Sequence, residues 1–355
     1  MIPAPLAELV ARIRPVDTAF AAQARARLDG LTKPPGSLGR LEELAARVAV
    51  VQRSVRPMLL RKAIVLMAAD HGVTAQGVSP YPKEVTAQMV ANFLAGGAAI
   101  NQLARHAGAE LTLVDVGVDA DLPAHPELVH AKVARGTRDM TAGPAMTGEE
   151  AAEALGVGYR MAVGLAGDGA TIIGTGEMGI GNTTAAAALT CALTGADPAT
   201  VVGPGTGLDI AGVQHKREIV ARALEVNADA LAEPFSALAA VGGLEIAGLA
   251  GVVAGAAASG VCVVADGFIS GAAALAALRL APECAGYLFA SHRSAEPGHQ
   301  VVLDASGLTP VLDLDMRLGE GTGAALAMEI IDAACACMSG MATFEEAGVS
   351  ESEAE

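Results

Sequence analysis

The residues of this sequence that could do chemistry stand directly after short apolar runs. Asp70 and His71 follow the first run, and Asp115 ends the second. Asp266 and Glu320 follow later runs. In an open parallel sheet, ligands bind beyond the carboxyl ends of the strands. The repeated placement of glycine and charged residues at these points therefore predicts that one edge of a sheet carries an active site.

The longest of these polar segments is a glycine loop at residues 174–184, GTGEMGIGNTT. Its start matches G-x-G-x-x-G, the pattern of dinucleotide-binding loops. The acidic residue expected at the end of the next strand is missing, because Asp197 precedes that run. Backbone N–H groups and a helix start still favour an anion, so we predict a phosphate site. Its residues are Gly174, Gly176, Gly179, Gly181, Asn182 and Thr183.

A second glycine loop lies at Gly203, Gly205 and Gly207. Its backbone N–H groups could hold the same anion. Lys216 follows one or two turns into the next helix, where its ammonium would meet the bound phosphate.

Two glutamates stand among these glycines. Glu177 lies inside the first loop, where a carboxylate beside a phosphate is unfavourable unless it contacts something else. Glu320 lies between two glycines, so a ligand could approach its carboxylate closely. A solvated loop acid is the alternative interpretation of Glu320.

A proline-rich turn, residues 79–82, carries one of only three tyrosines. Ser79, Tyr81 and the downstream Gln88 could form a wall and a hydrogen bond for a flat apolar ring. An ordinary proline-rich loop is the alternative.

Histidines and acids raise the question of a metal site. A hydrolase-type set could be assembled from Asp70, His71, Asp266, His292 and His299. None of them has the i, i+4 spacing of H-E-x-x-H. An Asp-His pair at a strand end can also be a hydrogen-bonded turn. We predict no metal and no cofactor.

Apolar runs alternate with alanine-rich helical patterns. The runs are at 63–68, 111–116, 171–174, 201–203, 261–265, 286–290 and 311–314, and the helical patterns at 84–106, 149–165, 183–193, 216–231 and 269–280. Continuous apolar strands are covered on both faces. This order predicts an α/β fold with a doubly wound, mainly parallel sheet.

The chain termini differ from the middle of the chain. Residues 6–13, 17–28 and 41–51 are expected to form helices with no strand between them, and residues 323–338 a last helix. We predict a small helical lobe from residues 1–60 together with 325–355, and a large α/β domain at 61–324. The tail after Gly348 is expected to fray.

Composition excludes several classes of protein. With 52% apolar residues and a net charge of −16, the chain is neither disordered nor suited to nucleic acid or anionic membranes. Residues 246–265 are uncharged, but Gly260 divides them into a buried helix and a buried strand rather than a membrane span. Five scattered cysteines and no basic-then-apolar signal favour a reducing cytoplasm.

Taken together, these motifs resemble nicotinate-nucleotide–dimethylbenzimidazole phosphoribosyltransferases. The resemblance covers about residues 30–340 and rests on segments 33–42 (KPPGSLGRLE), 69–73 (ADHGV), 176–184 (GEMGIGNTT), 291–296 (SHRSAE) and 317–323 (RLGEGTG). It implies transfer of the phosphoribosyl group of nicotinate mononucleotide to 5,6-dimethylbenzimidazole, late in cobalamin assembly. A Rossmann-like sheet, a lobe made from both termini and a homodimer are implied as well.

The resemblance also assigns residues. It implies Glu320 as the general base, with Glu177 as a second carboxylate nearby. Ser79, Tyr81 and Gln88 would hold the aromatic base, while Lys216 and Ser291 join the glycine loops around the phosphoribosyl group. Two positions depart from the family pattern: Pro204 stands where Arg is common, and Ile210 where an acid is common.

Two other functions compete with this prediction. A metal-dependent phosphohydrolase would use Asp70, His71 and Asp266 with water as the acceptor. A nucleotide-sensing module would bind through the glycine loops without turnover. The aromatic base preferred by the enzyme is not fixed by the sequence.

Overall fold

The computed structural model describes residues 3–350 of the chain. Six parallel strands form its central sheet. They are β1 (Lys62–Ala69), β2 (Ala109–Gly117), β3 (Leu128–His130), β4 (Ile172–Met178), β5 (Cys262–Ala265) and β6 (Leu288–Ala290). Their order across the sheet is β3-β2-β1-β4-β5-β6, and every neighbouring pair is parallel. The predicted doubly wound parallel sheet is thus confirmed.

The strand order reverses between β1 and β4. A crevice opens at such a point beyond the carboxyl ends of the strands. Met67 near the end of β1 pairs with Glu177 near the end of β4. The first glycine loop and the Asp70-His71 turn therefore leave the sheet side by side.

Fifteen helices surround the sheet within residues 3–350. They are α1 (Ala4–Val10), α2 (Ala21–Asp29), α3 (Arg40–Gln52), α4 (Val85–Leu94), α5 (Ala99–His106), α6 (Gly148–Gly167), α7 (Asn182–Thr194), α8 (Pro198–Val201), α9 (Ile210–Val226), α10 (Pro234–Val241), α11 (Leu244–Ala258), α12 (Phe268–Leu280), α13 (Pro297–Ser306), α14 (Thr322–Gly340) and α15 (Phe344–Ala347). Residues 246–265 form the end of α11 and β5, so the predicted buried helix and strand are confirmed.

Both faces of the sheet are covered. Val65 and Met67 of β1 belong to the core beneath α11, whereas Ile64 and Leu66 pack on the opposite side with α14. Helices α6 and α11 pack at very short range. Gly158 of α6 permits this approach, since a Cβ at that position would collide with the backbone of α11. Strands covered on both faces explain the continuous apolar runs of the sequence.

Three sequence-based predictions of local structure are wrong. The run at 201–203 is no strand: Pro198 at the first helical position and the Asp197 side chain, which accepts the Ala199 N–H, begin the short helix α8 instead. The pattern at 84–106 forms two helices, because the chain turns at Gly96 with φ of +73°. The run at 311–314 lies outside the main sheet, in a small parallel ladder of β7 (His292–Arg293) and β8 (Leu312–Asp313).

The terminal segments contact each other. The Arg27 guanidinium donates to the Met341 carbonyl at 2.7 Å, and Leu31 forms an antiparallel bridge with Thr343. The tail beyond Ser350, where fraying was predicted, lies outside the described residues.

Helix α14, near the end of the chain, is long and apolar. It has 19 residues with a mean hydropathy of 1.3, enough by length and composition alone to cross a membrane. Half of it is buried against the sheet and the neighbouring helices, which is also the position of a core helix.

Candidate active site

A cavity of about 380 Å³ opens at the carboxyl ends of β4 and β5. This volume is within the usual range for small-molecule sites. Its polar lining includes Glu177, Asn182, Thr183, Thr206, His292, Ser294, Glu296, Arg317 and Glu320. A larger groove of about 910 Å³ lies against α6 and α10, away from these strand ends. The polar residues identify the smaller cavity as the candidate active site.

Glu320 is held in an unusual backbone conformation at one end of this cavity. Its φ is +63°, which is in the left-handed region. This region is energetically unfavourable for any residue that has a side chain. Asp266, after β5, accepts the backbone N–H groups of Gly321 at 3.0 Å, Gly323 at 2.8 Å and Ala324 at 3.1 Å. The Asp266 carboxylate thus caps the start of α14 and fixes the loop that carries Glu320.

The first glycine loop makes room for the same segment. A Cβ on Gly176 would lie 2.6 Å from the Glu320 carbonyl oxygen, so a side chain there would push the segment away. Gly174 packs in the same way against Ala324 and Met328 of α14. These two glycines therefore pack against the segment that carries Glu320, and neither lines the cavity.

The Glu320 carboxylate is suited to accept a proton near neutral pH. The side chain is 6% exposed and lines the cavity, and its Oε2 has no hydrogen-bond partner among residues 3–350. Burial raises the pKa of Glu320 to about 7, with a further increase from the charge of Asp266 and an opposing effect of the Ile100 N–H. A general base works best with a pKa close to the working pH.

Glu177 faces the same cavity but is bound by its neighbours. It accepts hydrogen bonds from the Asn182 side chain and from the backbone N–H of Glu320. Burial, together with the nearby charges of Asp266, Glu245 and Glu320, raises the pKa of Glu177 to about 8. Glu177 therefore binds a proton more readily than an exposed glutamate, and its hydrogen bonds orient the Glu320 segment.

The remaining residues of the first loop divide into two groups. Gly179 and Gly181 approach the turn after β1, where Cβ atoms would meet Ala69, His71 and Thr74. Asn182 and Thr183, at the start of α7, line the cavity, and Gly179 lines it as well. The N-terminus of α7 thus faces the cavity, in the orientation that favours an anion.

Lys216 binds Thr183, one of the residues that line the cavity. Its ammonium, on a side chain only 1% exposed, donates to Thr183 Oγ1 at 2.8 Å. An ammonium cannot accept a hydrogen bond, so the Thr183 hydroxyl must donate its own proton to another group. The adjacent cavity is where a ligand could accept it. Burial lowers the pKa of Lys216 to about 8, against the charge of Glu296. Lys216 is therefore a positioning residue for Thr183.

The second glycine loop is partly occupied by a carboxylate. Gly205 donates its backbone N–H to Glu296 Oε1 at 2.9 Å, and a Cβ on Gly203 would collide with the same side chain. Gly207 takes a φ of +113°, which only glycine adopts readily. The loop thus offers fewer free N–H groups to an anion than its sequence suggests.

Arg317 supplies a cation to the second loop. It lines the cavity and donates to the Gly205 carbonyl at 3.1 Å. Pro204, the departure from the family pattern, belongs to that same loop. Sequence reasoning did not assign Arg317 to the site, because its segment lies 112 residues further along the chain than Gly205.

The predicted aromatic wall is only partly at the cavity. Tyr81 lines it, and Ser79 Oγ lies 3.3 Å from Thr206 Oγ1 at its edge. Gln88 is exposed on α4, which instead presents Val85 and Met89 to the cavity. The apolar spacing of Val85 and Met89 along α4 was the available signal for this wall.

Ser291 lies behind the cavity wall rather than in it. Its hydroxyl pairs with His292 Nδ1 at 2.9 Å, and the side chain is fully buried. The next residues in alternation, His292, Ser294 and Glu296, line the cavity instead. From the sequence, only Ser291 of this segment was predicted to bind the phosphoribosyl group.

The acids and histidines of the possible metal site have other partners. His71 pairs with Glu245 at 2.7 Å; burial lowers the pKa of His71, but the nearby carboxylate outweighs this and raises it. Asp70 accepts the Asp119 N–H at 2.7 Å, and Asp266 caps α14. Within residues 3–350, no group of three or more His, Cys, Asp or Glu side chains could hold a metal ion.

This sheet with its carboxylate cavity matches one class of enzyme. The family model described as "Phosphoribosyltransferase" matches residues 13–349. The chain is 55% identical over 346 residues to the nicotinate-nucleotide–dimethylbenzimidazole phosphoribosyltransferase of Chloroflexus aggregans, covering 98% of both chains. It is 54% identical to that of Geobacter metallireducens, covering 97% of this chain and 98% of the relative.

A solved structure agrees with these sequence relatives. The crystal structure of nicotinate-nucleotide–dimethylbenzimidazole phosphoribosyltransferase from Thermus thermophilus superimposes with a TM-score of 0.89. The two chains are 51% identical, and the alignment covers 95% of this chain and 100% of the other. The chain belongs to the nicotinate-nucleotide–dimethylbenzimidazole phosphoribosyltransferase family. The predicted family and enzyme class are confirmed.

Proposed function

We propose that this enzyme transfers the phosphoribosyl group of nicotinate mononucleotide to 5,6-dimethylbenzimidazole. The products are α-ribazole 5′-phosphate and nicotinate, which places the reaction in the lower-ligand branch of cobalamin biosynthesis. The observation that carries the proposal is Glu320, a buried carboxylate in the cavity with a pKa raised to about 7 by burial.

The reaction needs a base but no strong acid. One benzimidazole nitrogen attacks C1′ of the ribose while the bond from C1′ to the pyridinium nitrogen breaks, and nicotinate leaves with the electron pair. The ring would become cationic, so its other nitrogen loses its proton, and Glu320 accepts it. The positive charge that develops on the sugar is stabilised by the nearby carboxylates.

The residues at the start of α7 and around the second glycine loop are suited to the phosphate. The N-terminus of α7, the hydroxyl of Thr183 and the guanidinium of Arg317 all face the cavity. A phosphate held there fixes the ribose while the aromatic base approaches C1′ beside Tyr81 and Glu320. Attack on the face opposite the leaving nicotinate inverts the anomeric carbon from β to α. Holding both reactants in this geometry supplies a large part of the rate.

Release of nicotinate tests this function directly. We expect chromatography to detect nicotinate from nicotinate mononucleotide only when a benzimidazole is present, because the cavity must hold an acceptor with a ring nitrogen. A panel of benzimidazoles, purines and phenols identifies the preferred acceptor. Phosphate release that stops with a chelator would indicate the phosphohydrolase instead, and binding without any release would indicate a sensing module.

We also propose that the enzyme is a cytoplasmic homodimer. Large apolar side chains are exposed at the cavity and at the start of α9. Tyr81 and Leu318, which line the cavity, are 52% and 57% exposed, and Ile210 is 91% exposed. Covering such side chains is a common role of a second subunit. Free thiols at all five cysteines support a reducing compartment. The contacts between the terminal segments support a lobe of residues 1–60 with 325–355 beside a domain at 61–324.

Sedimentation analysis tests the dimer. We expect the wild type to sediment with twice the mass of the chain, and Ile210→Arg to weaken association because it places a long, positively charged side chain in the interface. Val226→Arg is the matched control, since Val226 is exposed at the other end of α9. A wild-type monomer at micromolar concentration, or equal effects of the two substitutions, would contradict this surface.

A further inference from the structure

Helix α4 and the first glycine loop both contribute apolar side chains to the cavity. Val85 and Met89 come from α4, and Met178 and Ile180 come from the loop. Apolar lining of this kind is suited to the flat ring of an aromatic acceptor. The fit of that ring therefore depends on how α4 and the loop are placed relative to each other.

Thr86 of α4 links these two elements. Its Oγ1 accepts the backbone N–H of Ile180 at 3.1 Å, and the side chain is fully buried. Within residues 3–350, this is the only hydrogen bond between α4 and the first glycine loop. Thr86 does not line the cavity, unlike Val85 before it. Its hydroxyl therefore serves the contact between the two elements and not a substrate.

The loop needs such a link because of the residues beside Ile180. Ile180 stands between Gly179 and Gly181, and Gly181 has a φ of +92°. Glycine restricts the backbone less than any other residue, so the conformational preferences of these neighbours do little to fix the Ile180 peptide group. The hydrogen bond to Thr86 holds that peptide group, and with it an apolar side chain of the cavity.

Asp70, directly after β1, lies next to Thr86. Its Oδ2 accepts the Asp119 N–H at 2.7 Å. Burial raises the pKa of Asp70, and the Asp119 N–H and the nearby Thr86 hydroxyl oppose this increase. The contact with Thr86 is not a standard hydrogen bond, since Asp70 Oδ1 has no partner of standard geometry among residues 3–350. The bond to Ile180 is therefore the firm part of the link, and Asp70 supports it from behind.

We propose that Thr86 is a positioning residue, which sets the spacing between α4 and the first glycine loop and thereby the selection of the acceptor by its ring substituents. The inference rests on the proposed transfer to a benzimidazole. In an apolar pocket, one methylene-sized group changes kcat/KM by about tenfold to two-hundredfold. A small change in the spacing is therefore enough to alter the selection.

Two acceptors and two substitutions test the proposal. Nicotinate release is measured as kcat/KM for 5,6-dimethylbenzimidazole and for benzimidazole, in the wild type, Thr86→Val and Thr86→Ser. Valine keeps the volume of threonine but cannot accept the Ile180 N–H, whereas serine keeps the hydroxyl. In Thr86→Val the ratio of the methylated to the unmethylated acceptor should fall by about tenfold, because the loop moves away from α4 and the methyl groups lose contact. Thr86→Ser should keep the ratio of the wild type.

Thr190→Val is the matched control. Thr190 is also fully buried, but its hydroxyl has no partner among residues 3–350 and it does not line the cavity. It should keep the ratio of the wild type. If Thr86→Val lowers the melting temperature and leaves the ratio unchanged, Thr86 is only structural and the proposal is overturned. Equal losses of the ratio in Thr86→Val and Thr86→Ser would overturn it as well, because the hydroxyl would then not be the cause.

Two further measurements do not depend on the folding of Thr86→Val or on turnover. In the folded wild type, the Ile180 amide should exchange slowly with heavy water, since its N–H is bonded to Thr86. Rapid exchange there would overturn the proposal without any variant. Calorimetry of the two benzimidazoles gives the ratio of their affinities without transfer. If the wild type releases no nicotinate while this ratio still falls in Thr86→Val, only the proposed function is refuted.

Discussion

Glu320→Gln is expected to lower kcat by about 10²- to 10⁴-fold, the usual contribution of a general base. Glutamine has nearly the same shape but accepts no proton at neutral pH, so the reaction loses the base and keeps the cavity. Binding of nicotinate mononucleotide, measured by calorimetry, should change little, because the proposed phosphate contacts are Thr183, Arg317 and the start of α7 rather than Glu320. The melting temperature should not fall, since the substitution removes a buried charge.

The acceptor provides a control for the step that fails. In 1-methylbenzimidazole the second nitrogen carries a methyl group, so there is no proton for Glu320 to remove. The wild type and Glu320→Gln should therefore transfer the phosphoribosyl group to this acceptor at similar rates. If Glu320→Gln loses the same factor with both acceptors, Glu320 acts by position or charge and not by taking the proton.

The pH dependence gives a second measurement of the same role. Burial raises the pKa of Glu320 to about 7, and the carboxylate is active only when deprotonated. The kcat/KM of the wild type should therefore rise with pH and level off above about 7. Glu320→Gln should lose this rise. A wild-type profile that is flat between about pH 5 and 8 would show that the rate does not depend on deprotonation of Glu320.

The sequence predicted the sheet because its signals are local. A run such as residues 63–68 is short, apolar without interruption and flanked by Lys62 and Asp70, which is typical of a strand covered on both faces. The glycine and the acids at the run ends then share one edge of the sheet, since parallel strands all end there. Glu177 was found in this way, whereas Glu320 follows β8 outside the main sheet and was found from its two flanking glycines. The structure places both in one cavity.

The parts that were not predicted depend on distant contacts. His292, Ser294 and Glu296 share a face because β7 pairs with β8, about 20 residues further along the chain. The segment at 291–296 has no alternation of apolar and polar residues that would show which side chains are buried. The roles of Gly174 and Gly176 were equally hidden, because their pattern is that of a phosphate loop while their contacts are with α14 and the Glu320 segment. A glycine pattern indicates close approach but does not identify the partner.

Asp266 is the other residue whose loss should have a large effect. Its carboxylate caps α14 through three backbone N–H groups and is 1% exposed. Asp266→Asn keeps the size of the side chain but turns an amide N–H group toward one of these donors. Loss of satisfied hydrogen bonds at a buried site costs about 1–3 kcal/mol, so we expect a clear fall in the free energy of unfolding measured with urea.

The same substitution should reduce catalysis through Glu320. Without its cap the segment at 319–323 relaxes, and a displacement of about 1 Å at a reacting group can cost about a hundredfold in rate. Asp266, whose own pKa is raised to about 7 by burial, also raises the pKa of Glu320 when it is charged, so its removal should lower that pKa and shift the rise of kcat/KM modestly to lower pH.

Asp197→Asn is the control for Asp266→Asn, because Asp197 is an exposed cap of α8 outside the cavity. It should lower stability slightly and leave both kcat and the pH profile unchanged. If Asp266→Asn lowers only the stability, then Asp266 is a helix cap alone, and the strain at Glu320 is maintained by Gly176 and its neighbours.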